Sequence, residues 1–173
     1  MFTGMKVVNR HRYAGDEIFE TRSLSFIPFY YSKGSAELLM KEIRTQLTPD
    51  LITKKYRKEN ETNPMYGHCY HSTQALFYLL DTNYLIPRSG IDYRGDTHWW
   101  LHDAGSDEIY DTTADQYYSV GQVPPYDVGR KTSWYGWKQR PHQRTLNLMM
   151  KVLDSYGTGY CYDILPPQTE ALT

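Results

Sequence analysis

Apolar residues recur at helical spacing in three stretches of the chain and predict three amphipathic helices. The first covers residues 36–47 and has Ser35 as its N-terminal cap. The second covers residues 69–80, and the third covers residues 141–155. A shorter, basic helix is predicted for residues 50–59, because Thr-Pro is a helix-start signal.

Strands are predicted between the second helix and residue 115. Residues 83–95 predict a strand that is interrupted at Pro87. Residues 97–103, "THWWLHD", predict a second strand, and residues 106–115 contain a third. The segment "AGSD" is rich in turn-forming residues, so these last two strands are expected to form a hairpin.

The remaining stretches have weaker patterns. Residues 1–34 predict only short extended pieces, and "SLSFIPFYY" is expected to be an edge strand or a loop because of Pro28. Residues 116–140 predict a long irregular stretch, a feature that is uncommon in compact domains unless it has a function. The tail after residue 164 is expected to be loosely held.

The length of 173 residues fits one domain, residues 1–173, with one core. The expected fold class is α+β, with a Cys-bearing helix packed on a small antiparallel sheet and with flanking helices. Within this domain we distinguish a core motif at 66–116, an aromatic and basic loop at 116–140, and the C-terminal helix at 141–155.

Composition narrows the classes of partner. The formal net charge is −1, so the chain as a whole gives no case for nucleic acid or an acidic membrane as a partner. No apolar run approaches the ~18 residues of a membrane span, and the first residues lack a secretory signal pattern. We therefore expect a cytoplasmic protein in which the two cysteines, Cys69 and Cys161, are free thiols. The 17 tyrosines and 4 tryptophans suit either a core or a substrate-binding surface.

The segment "GHCYHSTQALFYLL" places Cys69 at the start of a predicted helix. A helix N-terminus and a neighbouring imidazolium both favour a thiolate. His98, on the strand predicted for residues 97–103, is a candidate base for the thiol proton. Asp111, at the end of the following strand, is a candidate acid that fixes the imidazole tautomer. The three residue types in this order predict nucleophilic catalysis.

The blocks "GHCYHSTQAL", "THWWLHD" and "IYDTTAD" resemble the transglutaminase-like branch of the papain-like thiol enzymes. The resemblance implies a nucleophile at Cys69, a base at His98 and an orienting acid at Asp111. It implies a thioester formed from a protein, peptide or other amide substrate, without a cofactor, and resolved by hydrolysis, deamidation or transamidation. The blocks "GHCY", "HW" and "DTTADQ" also resemble small proteins of tailed bacteriophages and prophages, which implies action in the host cytoplasm.

The chain departs from the family pattern at several positions. The family usually has proline after the acid, and this chain has Thr112. It often has a bulky residue such as tryptophan beside the nucleophile, and here the neighbours are His68 and Tyr70. Asp115 and Gln116 are predicted to cap the following turn, with lining the site as the alternative.

Further residues are predicted to support the reaction. The backbone amide of Cys69 is an expected oxyanion donor, and Asn63 and Gln74 are candidates for a second donor between which spacing does not choose. Trp99 and Trp100, next to His98 in the sequence, complete this predicted set.

Two ordinary alternatives use the same residues. Zinc accepts Cys and His, and "HCYH" with "HWWLH" offers five such side chains, but the spacing fits no standard zinc finger. His98 and His102 share a strand face but stand about 13 Å apart, too far for both to bind one metal, although either of them could bind it together with Cys69 and Asp111. In the other alternative, Cys69 is a small buried apolar residue and His98 is a hydrogen-bonded core histidine.

The segment "GRKTSWYGWKQRPHQRT" interleaves cations with aromatic rings. We predict that Trp134, Tyr135, Trp137 and Arg140 bind substrate, as part of a flap over the thiol. The same pattern suits stacking on bases. It therefore supports the alternative of a non-catalytic phage or bacterial accessory protein that binds a host protein or nucleic acid. It also suits a loop that packs its tryptophans on the core.

Overall fold

The computed structural model describes residues 4–14, 17–132 and 141–165. In these ranges the chain forms five α-helices and two antiparallel sheets, which confirms the predicted α+β class. The strands are β1 (Lys6–Ala14), β2 (Glu17–Phe26), β3 (Leu85–Ile91), β4 (Thr97–Asp103), β5 (Glu108–Tyr110), β6 (Arg130–Lys131) and β7 (Tyr160–Leu165). The helices are α1 (Lys33–Thr45), α2 (Lys54–Asn60), α3 (Cys69–Leu80), α4 (Asp115–Tyr118) and α5 (Gln143–Ser155).

The first sheet corrects the prediction for the N-terminal residues. Its strand order is β1-β2-β7, so β2 is central instead of an edge strand. β2 ends at Phe26, before Pro28, and the proline therefore removes no hydrogen bond from the sheet. The pieces expected to be short are strands of 9 and 10 residues. The pairing of β2 with β7 was not predicted.

The second sheet has the order β5-β4-β3-β6 and carries the candidate site. β4 has the predicted bounds, and the predicted turn between β4 and β5 is present, with the carboxylate of Asp103 accepting from the Gly105 amide. Pro87 does not interrupt β3, which runs through it, and the Pro87 carbonyl accepts a hydrogen bond from the Thr132 amide.

The helix starts follow their capping residues. α1 begins after Ser32, and Ser35 is the reciprocal partner in a capping box instead of the predicted cap. α3 has the predicted bounds. α5 begins at Gln143, two residues after the predicted start, because His142 caps it. The predicted basic helix is divided into a 3-10 turn at Pro49–Leu51 and α2.

The main core lies between the helices and one face of the second sheet, and the first sheet adds Val8, Leu24 and Phe26 to it. α3 is central to it and is buried along nearly its whole length, which is typical of a helix packed on several sides. It contacts α1, α5 and β4. The core residues from these four elements include Leu39, Ile43, Leu76, Leu79, Leu101, Leu146 and Met149. This packing fixes the position of the α3 N-terminus relative to β4.

The other face of β4 is covered by the described part of the stretch that was predicted to be irregular. That stretch contains most of α4, a 3-10 turn at Tyr126–Val128, and β6, which pairs with β3. The described part of this stretch, as far as residue 132, is irregular between these short elements, so the prediction of a long irregular loop is confirmed only in part. The predicted substrate-binding residues lie outside the described residues, and they are Trp134, Tyr135, Trp137 and Arg140. In the described ranges, no helix combines the length and the apolar character that spanning a bilayer requires.

Candidate active site

Cys69 is the first residue of α3. The amides of a helix's first turn have no acceptor within the helix, so they favour negative charge nearby. The preceding side chain, His68, is bonded to His71 and does not cap these amides. The Cys69 sulfur lies 3.7 Å from the Thr97 carbonyl oxygen, at the start of β4. The thiol therefore sits between the helix N-terminus and the strand that carries the candidate base.

Strand register brings His98 and Asp111 together. β4 pairs with β5 so that Leu101 lies opposite Tyr110. Continuing that register by one residue places Asp111 beside Trp100, on the face of the sheet that His98 shares. The His98 Nε2 and Asp111 Oδ2 atoms are 2.6 Å apart, and both side chains are almost fully buried.

The environment of His98 favours its charged form. Burial acts against the charge, but the hydrogen bond and charge interaction with Asp111, together with the influence of the nearby Cys69, outweigh it and raise the pKa of His98 to about 10. Nε2 is committed to the acid, while the buried Nδ1 has no hydrogen-bond partner among the described residues. Cys69 is therefore close enough to influence the His98 imidazole, whose second ring nitrogen, Nδ1, is unused.

The Asp111 carboxylate is held by three donors. His98 and the Tyr126 hydroxyl both approach Oδ2, the latter at 2.8 Å. The Thr113 amide donates to Oδ1 at 3.1 Å. The carboxylate is therefore fixed in one orientation, with one oxygen directed at the imidazole.

Two aromatic residues wall the His98 ring. Trp100 stacks on it at a centroid distance of 5.9 Å, and Tyr117 meets it edge-on at 4.7 Å. The Tyr117 hydroxyl donates to Asp92 at 2.8 Å. Burial and the Asp92 carboxylate raise the pKa of Tyr117, so this phenol stays neutral. These contacts exclude water from the His98 ring.

An open cleft of about 350 Å³ lies beside Cys69. Two of its carboxylates already accept hydrogen bonds, Asp92 from the Arg94 and Asp96 amides and from Tyr117, and Asp96 from the Tyr66 hydroxyl at 3.2 Å. Its aromatic lining consists of Tyr56, Tyr66, Tyr70, Trp99 and Tyr117. The cleft therefore offers aromatic side chains to a bound molecule, alongside polar groups that include the Lys55 amine.

The predicted oxyanion residues are engaged elsewhere. The Asn63 amide donates to the Gln116 carbonyl at 2.8 Å. The Gln74 side-chain oxygen accepts from the His142 amide and from the Thr145 hydroxyl, and so connects α3 to α5. Among the described residues that line the cleft, neither is present. Gln116 does line the cleft. This agrees with the alternative for Gln116, which was that it lines the site instead of capping the following turn.

Three further histidines, His68, His71 and His102, belong to two separate pairs. His68 Nδ1 and His71 Nε2 are 2.7 Å apart in a buried position. Burial lowers the pKa of His68 to about 4 and the pKa of His71 well below its ordinary value. His102 pairs with the exposed Asp107 at 2.9 Å. Across the described ranges, no three His, Cys, Asp or Glu side chains form a group that could hold a metal, so the zinc alternative has no ligand set there.

Sequence reasoning missed Tyr117 and Tyr126. Both lie in the stretch that was predicted to be irregular, and only their contacts with His98 and Asp111 identify them. The tyrosine that follows Gln116 in "TADQYY" was a weak local signal, because a turn directly after the acid must lie near it.

Comparison with known proteins adds no relative. No family model matches the sequence, and neither the curated proteins nor the solved structures gave a match. Any functional conclusion therefore depends on the geometry around Cys69, His98 and Asp111.

Proposed function

We propose that this protein is a thiol enzyme that transfers an acyl group from an amide through a thioester on Cys69. The observation that carries the proposal is the use of the two His98 nitrogens. Nε2 is bound to a buried carboxylate, and Nδ1 is unused among the described residues while Cys69 is close enough to affect the imidazole. His68 Nε2 and His102 Nδ1 are also buried without a hydrogen-bond partner among the described residues, so His98 is distinguished by combining such a nitrogen with a buried carboxylate and a nearby thiol.

The proposed first step forms the C–S bond. The Cys69 sulfur attacks the amide carbonyl carbon, and the thiol proton is held on Nδ1 of His98. The oxyanion forms next to the α3 N-terminus, where the Cys69 amide is a donor. When the C–N bond breaks, the amine leaves with the proton from Nδ1, and a thioester remains.

The second step reverses the first with another nucleophile. Water or an amine attacks the thioester, gives its proton to Nδ1 of His98 and releases the Cys69 sulfur. Asp111 keeps the imidazole oriented and stabilises its charge throughout. Water would give hydrolysis or deamidation, and an amine would give transamidation.

The cleft supports a substrate with an aromatic or apolar group next to the reacting carbonyl. Five of its lining residues are aromatic, and both of its carboxylates already accept hydrogen bonds. Aromatic and apolar side chains bind such walls through area burial and ring contacts. We therefore propose amides with an aromatic or apolar acyl side chain as the first substrates to test.

The order of the elements also supports the family proposal. A helix with the cysteine at its start packs against a strand with the histidine, and the acid follows the next strand. This order is similar to the transglutaminase-like arrangement that the sequence resembles. Assignment to that core is part of the proposal.

Trapping the acyl intermediate tests the proposal. The protein is mixed with p-nitrophenyl acetate or with N-acetyl-phenylalanine 4-nitroanilide, and the adduct is located by mass spectrometry. Cys161→Ala removes the exposed second thiol. We expect a Cys69 thioester that forms about 100- to 10,000-fold more slowly in His98→Ala, the range for loss of a general base. Acylation of Cys69 in this background that is no faster than acylation of Cys161 in Cys69→Ala contradicts the proposal.

A further inference from the structure

Tyr126 reaches the candidate acid from a segment 15 residues further along the chain. Its hydroxyl donates to Oδ2 of Asp111 at 2.8 Å, and the same oxygen lies 2.6 Å from Nε2 of His98. Burial, followed by the charge of Asp111, raises the pKa of Tyr126, so the phenol stays protonated and can donate. Tyr118 is the other titratable side chain that interacts with this phenol.

A close fit against β3 and β4 holds the segment that carries Tyr126. The Tyr126 ring meets the Trp100 indole edge-on at 5.2 Å. A Cβ atom on Gly129 would overlap that indole, and one on Gly90 would stand 2.8 Å from the Pro125 carbonyl oxygen. The Gly129 φ of −66° is open to any residue, so close packing, and not backbone conformation, requires glycine there.

We propose that Tyr126 is a positioning residue, which holds the Asp111 carboxylate in the rotamer that presents Oδ2 to His98. Without the phenol, Oδ2 keeps only its contact with His98, and the Thr113 amide on Oδ1 is the other restraint among the described residues. The carboxylate can then turn away from the imidazole. The segment that carries Tyr126 is thereby connected to Cys69 through Asp111 and His98.

This inference rests on the proposed function, and its test measures the charge pair without any substrate. The rate of Cys69 alkylation by iodoacetamide is recorded from pH 5 to 10 in a Cys161→Ala background. Tyr126→Phe keeps the ring against Trp100 and removes only the hydroxyl. We expect its rate at pH 6 to fall about three- to tenfold, as suits loss of a hydrogen bond to a charged group. At pH 9 the rates should agree within about twofold.

Tyr31→Phe is the matched control. The Tyr31 hydroxyl donates to the Asp103 carboxylate at 2.6 Å, at the other end of β4. The variant therefore loses the same kind of hydrogen bond in the same sheet, and we expect a wild-type profile. A Tyr126→Phe profile equal to that of wild type or of Tyr31→Phe, or a faster rate at pH 6, overturns the inference.

Two further variants separate this inference from the proposed function. Gly129→Ala should displace the segment, and we expect it to lower the pH 6 rate as Tyr126→Phe does, with no further loss in the double variant. Fully additive losses overturn the coupling. If His98→Ala slows alkylation at pH 6 and Tyr126→Phe does not, only the role of Tyr126 is refuted. If His98→Ala has no effect, the proposed function is refuted, and the inference with it.

Discussion

Two buried pairs that contain histidine lie near Cys69, and they have opposite electrostatic character. His68, the residue before the cysteine, contacts His71 at 2.7 Å, and its pKa falls to about 4. His98 contacts Asp111 at 2.6 Å, and its pKa rises to about 10. All four side chains are buried. At neutral pH the first pair is therefore uncharged, and the second holds a charged imidazole.

The difference lies in the partner of each histidine. Burial alone disfavours an imidazolium, and a second imidazole supplies no negative charge to offset that cost. A carboxylate supplies the opposite charge and acts only as an acceptor. The candidate base is therefore the buried histidine that is paired with a carboxylate. A buried histidine that is paired only with another histidine stays neutral, which fits a structural role.

The largest expected effect comes from removing the negative charge that is paired with His98, which leaves a buried histidine without an anion, as in the His68–His71 pair. In Asp111→Asn, His98 keeps its burial and loses its anion, so we expect its pKa to fall below the ordinary value of about 6.5. Nitrogen NMR of the imidazole should show a neutral ring at pH 7.5, where wild type is charged. Acylation of Cys69 should fall about 100- to 10,000-fold.

Asp107→Asn is the control for that substitution. It changes the carboxylate that pairs with His102 at the surface, where ion pairs contribute little. Wild-type acylation and a wild-type His98 resonance are expected. A His98 ring that stays charged in Asp111→Asn would show that the acid is not the cause of its charge.

The second effect is a loss of stability at alkaline pH. The folded-state pKa of His98, about 10, is above its unfolded value of about 6.5. This contribution to stability is complete below pH 6.5 and is lost as pH rises towards 10. We expect the free energy of unfolding in urea to fall by about 3–5 kcal/mol over this window through His98. The loss should be absent in His98→Gln, and an equal alkaline slope in both proteins contradicts it.

The smallest effect is a loss of folding stability at acidic pH. The folded-state pKa of His68 is depressed to about 4, so the unfolded chain binds the proton first as pH falls below 6.5. We expect stability to drop by about 2–3 kcal/mol between pH 6.5 and 4 through this residue. His68→Gln should flatten that part of the curve, whereas the surface variant His102→Gln should not. Identical acid slopes in wild type and His68→Gln refute the assignment.

Local sequence patterns were sufficient to predict the elements that carry Cys69, His98 and Asp111. The apolar spacing of residues 69–80 predicted α3 with its observed bounds, and the alternation in "THWWLHD" predicted β4. The short turn between β4 and β5 then fixed the register that brings His98 to Asp111. These features depend on contacts between residues close in sequence.

Long-range contacts were beyond sequence reasoning. β2 pairs with β7 across more than 130 residues, and no local pattern specifies that pairing. The choice between Asn63 and Gln74 depended on which neighbours occupy their amides, and both proved to be engaged. Tyr126 reaches Asp111 only because a glycine fits against Trp100.

The most direct test of the central claim is the pH dependence of Cys69 alkylation in wild type and His98→Ala, both with Cys161→Ala. A charged imidazole beside the thiol predicts fast iodoacetamide labelling that persists at pH 6 in wild type. In His98→Ala, labelling should become fast only towards the ordinary thiol range near pH 8.5. Superimposable curves that both rise only near pH 8.5 would contradict the proposal that His98 and Asp111 activate Cys69.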